Sequence, residues 1–173
     1  MSALLLYITL LAPLAVVIAY YDVRYRRIPN AFVLAALVGG LTINAIFAGF
    51  GGLLASLSGC ALAFFPLFIM HIFGAMGAGD VKLFAAVGAI VGAGLVLPTL
   101  LIVMITGGLI AVYSMIRAGT VRATMQRVVM ILVGLLPGWQ MPRFAVPADR
   151  RHTIPYGVAI MIGSLISVAL FRA

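Results

Sequence analysis

Six apolar runs, each close to the length that a bilayer demands, leave this chain few ways to fold. They are Ala3 to Tyr21, Ala31 to Phe50, Leu53 to Phe73, Val81 to Leu97, Thr99 to Ile116 and Tyr156 to Phe171, and Lys82 is the one Lys, Arg, Asp or Glu inside them. A hydrocarbon core about 30 Å thick is crossed by roughly 20 helical residues. The composition agrees: 65% of the 173 residues are hydrophobic, 8% are charged, and the mean hydropathy is +1.29. Soluble domains are about half apolar and about a quarter charged. A water-facing surface on a chain this short cannot dilute so much apolar side chain, so its solvent is lipid. The expectation is an all-α polytopic membrane protein, one domain over residues 1–173, with about six transmembrane helices in a lipid bilayer.

Gly51-Gly52 separates the second run from the third, and Pro98 separates the fourth from the fifth, so both pairs are predicted to be tight, uncharged helical hairpins. Six crossings put both termini on one side. Arg24, Arg26, Arg27, Lys82, Arg117, Arg122, Arg127, Arg143, Arg150 and Arg151 then share the opposite side, with Arg172 alone on the first. By the positive-inside rule the rich side is cytoplasmic and both termini lie outside. The net charge of +8 is therefore read as membrane orientation, because it sits in clusters between apolar runs and not along one face; a nucleic-acid partner is not expected. The first run lacks a basic segment before it and reads as a retained span, not a cleaved signal.

Arg117 to Arg127, with Val121 and Met125 running on into Val128 and Val129, predicts a cytoplasmic interfacial helix between the fifth and sixth spans. Val128 to Trp139 is too short to cross and is expected to be interfacial or re-entrant. Abundant Gly (19) and Met (9) suit close helix packing in lipid, and Cys60, the one cysteine, has no disulfide partner in the chain.

Against this background the acids stand out. There are three, Asp22, Asp80 and Asp149, and no Glu. Asp22 closes the first span and Asp80 opens the fourth, which the topology puts at the same cytoplasmic boundary. An ionisable group at membrane depth costs at least a few kcal/mol and marks a functional site by default. Two carboxylates held together cannot both ionise easily, so the pair shares a proton; one member activates water while the other protonates a carbonyl. That chemistry needs no metal and no cofactor. A plainer reading pairs Asp22 with Arg24 or Arg26 and Asp80 with Lys82. Gly77 and Gly79 weigh against it, since they leave the backbone ahead of Asp80 bare for an approaching substrate strand. Pro29 then breaks the chain and Asn30 is expected to cap the second helix.

Asp-x-Arg-x-x-x-Ile-Pro-Asn at 22–30, Gly-Ala-Gly-Asp-Val-Lys-Leu at 77–83 and Ile154-Pro155-Tyr156-Gly157 entering the last run together resemble the type IV prepilin peptidase family over nearly the whole chain. The resemblance implies an endopeptidase that removes a short basic leader from prepilins at the cytoplasmic membrane face, beside a pilus assembly machinery. It implies Asp22 and Asp80 as the catalytic pair, Gly77 and Gly79 as the motif glycines, and Lys82 as the residue that follows them. The large bifunctional members carry a cysteine-containing insertion after the first span and also methylate the new pilin terminus. Here that loop is Asp22 to Asn30 without a Cys pair, so methyltransferase activity is not expected. The compact form is similar to peptidases of tight-adherence (Flp) pilus systems, and archaeal preflagellin peptidases are similarly short.

The remaining polar residues have plainer explanations. His71 reads as a hydrogen-bonded packing residue, His152 and Asp149 as members of a solvated basic loop, and Ser56, Ser58, Ser114, Ser164 and Ser167 as helix-packing serines without a Gly-x-Ser-x-Gly context. Three roles stay open for Lys82: lowering the pKa of Asp80, meeting an acidic group on the substrate, or snorkelling to headgroups. A proton-coupled transporter or channel, and a structural subunit of a secretion platform, are the alternatives to a peptidase.

Overall fold

A computed structural model describes residues 3–73, 76–134 and 156–171. Among the described residues there are six helices and no strand: α1 (Ala3–Tyr25), α2 (Asn30–Ile72), α3 (Ala78–Val91), α4 (Ala93–Arg117), α5 (Val121–Gly134) and α6 (Tyr156–Phe171). Three of them, α1, α2 and α4, are long and apolar enough to cross a membrane. Their outward faces carry large apolar side chains such as Ile46, Phe50, Leu97 and Leu109, each more than 60% exposed. Only an apolar solvent tolerates so continuous a surface.

At 43 residues α2 would measure about 65 Å if straight, twice a hydrocarbon core. It is not straight. Asn44 and Ser56, about 18 Å apart on a straight helix, both hydrogen-bond the carbonyl of Ala89, at 2.9 and 2.5 Å. The chain therefore folds back between them, and the break is at Gly49, whose φ of 58° and ψ of −142° lie outside the helical region. Gly52 completes the reversal, because a Cβ there would collide with the Asn44 carbonyl. The glycine hairpin expected at Gly51-Gly52 thus exists, with its pivot at Gly49. Pro98, by contrast, makes no hairpin. It lies inside α4, and the interruption falls at Gly92, with φ 75°.

The 14 residues of α3 form the centre: from Val81 to Val91 all but Lys82 are buried. Both arms of α2 press on it through glycine. Gly59 meets the backbone of Gly88, and a Cβ on Gly40 would stand 2.7 Å from Ile90. Ending a helix in this interior exposes carbonyls that no water can reach. Asn44 answers that need, its amide donating to Gly40, Ala89 and Ile90 carbonyls at 3.0, 2.9 and 3.1 Å while its own oxygen accepts from the Tyr7 hydroxyl at 2.8 Å. Replacing it in Asn44→Leu removes the amide donor from the Ile90 carbonyl and one of two donors from the Ala89 carbonyl, which Ser56 still serves; we expect a loss of about 1–3 kcal/mol, read as a lower Tm in detergent, and an unchanged Tm would remove this account of the α3 terminus.

The chain divides into two compact units. In the first, α6 runs antiparallel to the start of α4: Thr99 meets Ser167 at 2.6 Å, a Cβ on Gly163 would sit 2.7 Å from Val103, and Gly107 lies beside Tyr156. The second holds the end of α4 and α5. There the single helix expected over Arg117 to Arg127 is broken, since α4 ends at Arg117 and Gly119, at φ 65°, turns the chain before α5 begins. Within α5, Val121, Met125 and Val129 recur every four residues and are exposed, the apolar stripe of an amphipathic helix. The rest of Val128 to Trp139 beyond residue 134, together with Asp149 and His152, lies outside the described residues.

Candidate active site

Asp22 lies in the last turn of α1 and is 7% exposed. Its carboxylate faces the start of α6, where a helix presents N–H groups without intrahelical partners. The Val158 N–H donates to Oδ2 at 3.3 Å and the Gly157 N–H donates as well. This approach requires glycine: a Cβ on Gly157 would stand 2.8 Å from Oδ2 and 3.1 Å from Cγ. An acid near the C-terminus of one helix thus serves the N-terminus of another, where the dipole favours negative charge.

Asp80 is the third residue of α3 and half-buried. Gly77 is the N-cap, in an extended conformation, and Asp80 reaches back to accept its N–H, one arm of a capping box. A Cβ on Gly77 would lie 2.9 Å from Asp80 Oδ2, so Gly77 is small for the sake of Asp80 as well as of anything arriving from outside. Gly79 has a different neighbour. Ile28 covers it, at 3.4 Å from an added Cβ, and the same Ile28 side chain would lie 3.1 Å from a Cβ added on Gly157. Ile28 therefore clamps the starts of α3 and α6 together beside the end of α1.

The two acids are near enough to feel each other. Asp80 lies outside the three long apolar helices, and burial together with the Asp22 charge pushes its pKa up to about 6, against a smaller opposing effect of the Gly77 N–H. The sign of the stability effect follows. With the folded value above the ordinary 3.8, folding is favoured below about pH 4 and that contribution is lost as pH rises through about 6. Asp80→Asn removes the penalty, so its Tm should exceed that of the wild type at about pH 8 and converge with it at about pH 4. A Tm difference that ignores pH would disprove the coupling.

Lys82 points elsewhere. Two residues on is about 200° round a helix, and Lys82 is exposed, lining a groove of about 430 Å³ with Asn30, Leu34, Leu37, Cys60 and Phe64. Burial, Asp22 and the Gly77 amide are the groups that act on Asp80. His71 is hydrogen-bonded through Nδ1 to the Met76 backbone carbonyl at 2.8 Å, as a packing residue would be. Asn30 is not a cap; Pro29 occupies that position, without a side-chain bond, and Asn30 is the first residue of α2.

Two residues of the site carry more than the sequence reading gave them. Gly157 was visible as a glycine in the first turn of a helix, a poor helix former where a good one would serve. Arg26 was read only as one of two possible ion-pair partners of Asp22. It has a φ of 52°, and its Nη1 is buried with no hydrogen-bond partner. Each feature costs about 1–3 kcal/mol.

A helical membrane protein with two buried or half-buried carboxylates converging at helix termini is the class that fold and site define. Residues 9–112, more than half of the chain, match the type IV leader peptidase family. The chain belongs to that family and is a membrane protease of the prepilin-leader kind. The matched region contains both Asp22 and Asp80 and stops short of α6. No curated protein and no solved structure matches the chain.

Proposed function

We propose that this protein is an aspartyl endopeptidase that removes the basic leader of type IV prepilins, of the Flp type, at the cytoplasmic face of the inner membrane, with Asp22 and Asp80 as the catalytic pair. The observation that carries this reading is the coupling of two carboxylates, 58 residues apart in sequence, in a setting that raises the pKa of one to about 6. A proton held by the pair up to about pH 6 lets one carboxylate take a proton from water as the other protonates the scissile carbonyl. Gly77 and Gly79 hold the α3 terminus in reach, and six crossings with both termini outside keep the pair on the side of the basic leader. The amphipathic α5 lies against headgroups at a membrane surface. Lys82, on its groove beside the site, meets the arriving substrate or the headgroups. The short Asp22 to Asn30 loop and lone Cys60 support cleavage without N-methylation.

The purified full chain in proteoliposomes should cut a synthetic prepilin with no other protein present. Mass spectrometry of the products gives the cut site and shows a new terminus without an added methyl. Inactivity of the isolated protein on every leader-bearing pilin tried would favour a structural subunit instead.

A further inference from the structure

Where α3 starts decides where Asp80 stands, because Asp80 is only the third residue of that helix. The first turn hangs on Gly77, whose carbonyl accepts the Asp80 N–H at 3.1 Å and the Val81 N–H at 3.3 Å. The Asp80 carboxylate leans on the same residue, with Oδ2 lying 2.9 Å from where a Gly77 Cβ would be. Whatever fixes the peptide leading into Gly77 therefore fixes both the backbone and the carboxylate of Asp80.

His71, in the last turn of α2, holds that peptide. Its Nδ1 lies 2.8 Å from the Met76 carbonyl oxygen, and because a carbonyl has no proton to give, Nδ1 is the donor. The carbonyl belongs to the planar Met76-Gly77 peptide, so gripping its oxygen sets the plane in which the Gly77 nitrogen and Cα lie. Both ends of the bond are anchored. Phe64, Phe68 and His71, spaced four and three residues apart, share one face of α2; the two phenyl rings stack at 5.0 Å between centroids and the imidazole follows at 6.3 Å. At the other end the Met76 side chain packs on the buried core. A ring that only filled space beside Phe68 would need no donor, whereas this one spends its N–H on the residue before the N-cap of the helix that carries Asp80.

We infer that His71 is a positioning residue for Asp80: its Nδ1–H fixes the Met76 carbonyl and, through the Met76-Gly77 peptide, the start of α3 and the seat of the Asp80 carboxylate. This rests on the reading of Asp80 as catalytic. The role asks for a donor at the place of Nδ1 and for no proton transfer by the ring.

Two variants separate the donor from the ring. His71→Phe keeps a ring against Phe68 and has no donor; His71→Asn loses the ring and offers an amide N–H in the place of Nδ1. With the full chain in proteoliposomes and a synthetic prepilin, His71→Phe should lower kcat by about 10²-fold, the worth of a displacement of about 1 Å in a reacting group, while KM holds. His71→Asn should recover most of that loss. A space-filling ring gives the reverse order, so a wild-type kcat in His71→Phe, or an Asn variant as slow as the Phe one, overturns the inference. If His71→Phe does not accumulate, His71→Leu carries the same test.

A second readout does not depend on turnover. The Tm gap between Asp80→Asn and its parent at about pH 8 reports the Asp80 carboxylate held against Asp22, the charged group that acts on it. That gap should shrink in a His71→Phe background and persist in His71→Asn, and since neither replacement titrates, ionisation of the ring does not enter the comparison. A gap of wild-type size in His71→Phe overturns the inference even if the variant is slow. That result, with Asp80→Asn inactive, would leave the catalytic pair standing; cleavage by Asp80→Asn would remove the pair and this role together.

Discussion

Asp22→Asn and Asp80→Asn are each expected to lower the rate of leader cleavage by on the order of 10³-fold or more, as general acid–base contributions of this kind do. The amide keeps the shape of the side chain and an oxygen able to accept the Val158 or Gly77 N–H, so α6 and α3 keep their terminal hydrogen bonds. What it cannot do is exchange a proton with its neighbour. Because the two acids act as one unit, the double variant should be scarcely slower than either single one. Asp149→Ala supplies the control, expected to cut normally. Product mass spectrometry, with Tm measured on the same samples, separates lost chemistry from lost fold. Substantial cleavage by either single variant would end the dyad reading.

Gly157→Ala should reduce kcat by about 10²-fold, although it adds one methyl group and touches no carboxylate chemically. That methyl would lie 2.8 Å from Asp22 Oδ2 and 3.1 Å from both Asp22 Cγ and Ile28 Cδ1, on a helix start that cannot retreat from both. Overpacking costs about 1–3 kcal/mol, relieved most simply by moving the carboxylate out of register. A displacement of about 1 Å in a reacting group is worth about 10² in rate. The matched control is Gly94→Ala, where an added Cβ meets nothing within 4 Å. If Gly157→Ala cuts at the wild-type rate, the α6 terminus does not set the position of Asp22.

Much of this protein is local and so could be read from residues in order. Apolar run length announces membrane helices because the bilayer measures length and composition alone. Gly51-Gly52 signalled a reversal because few other residues permit one, and the pivot at Gly49 lies within the same glycine-rich turn. Pro98 misled for an equally physical reason: a proline only disfavours continuation, whereas Gly92 takes the positive φ that a break in the chain here uses.

The scarcity of acids drew attention to Asp22 and Asp80, and the glycines before Asp80 marked a tight helix start. Those were properties of the sequence by itself. What only the tertiary structure decided is who stands opposite them. Val158 lies 136 residues from Asp22, and no periodicity or spacing connects them; their meeting follows from small residues on α3, α4 and α6 that let helices approach. The same packing turns Lys82 away from Asp80 and closes Ile28 over two helix starts. It also holds Arg26 in a backbone conformation that its own side chain would not choose. Sequence marked two carboxylates at the ends of apolar runs as functional, because charge in lipid is too costly to be incidental. Which amides face those carboxylates depended on three-dimensional packing, because hydrogen bonds act through space and not along the chain.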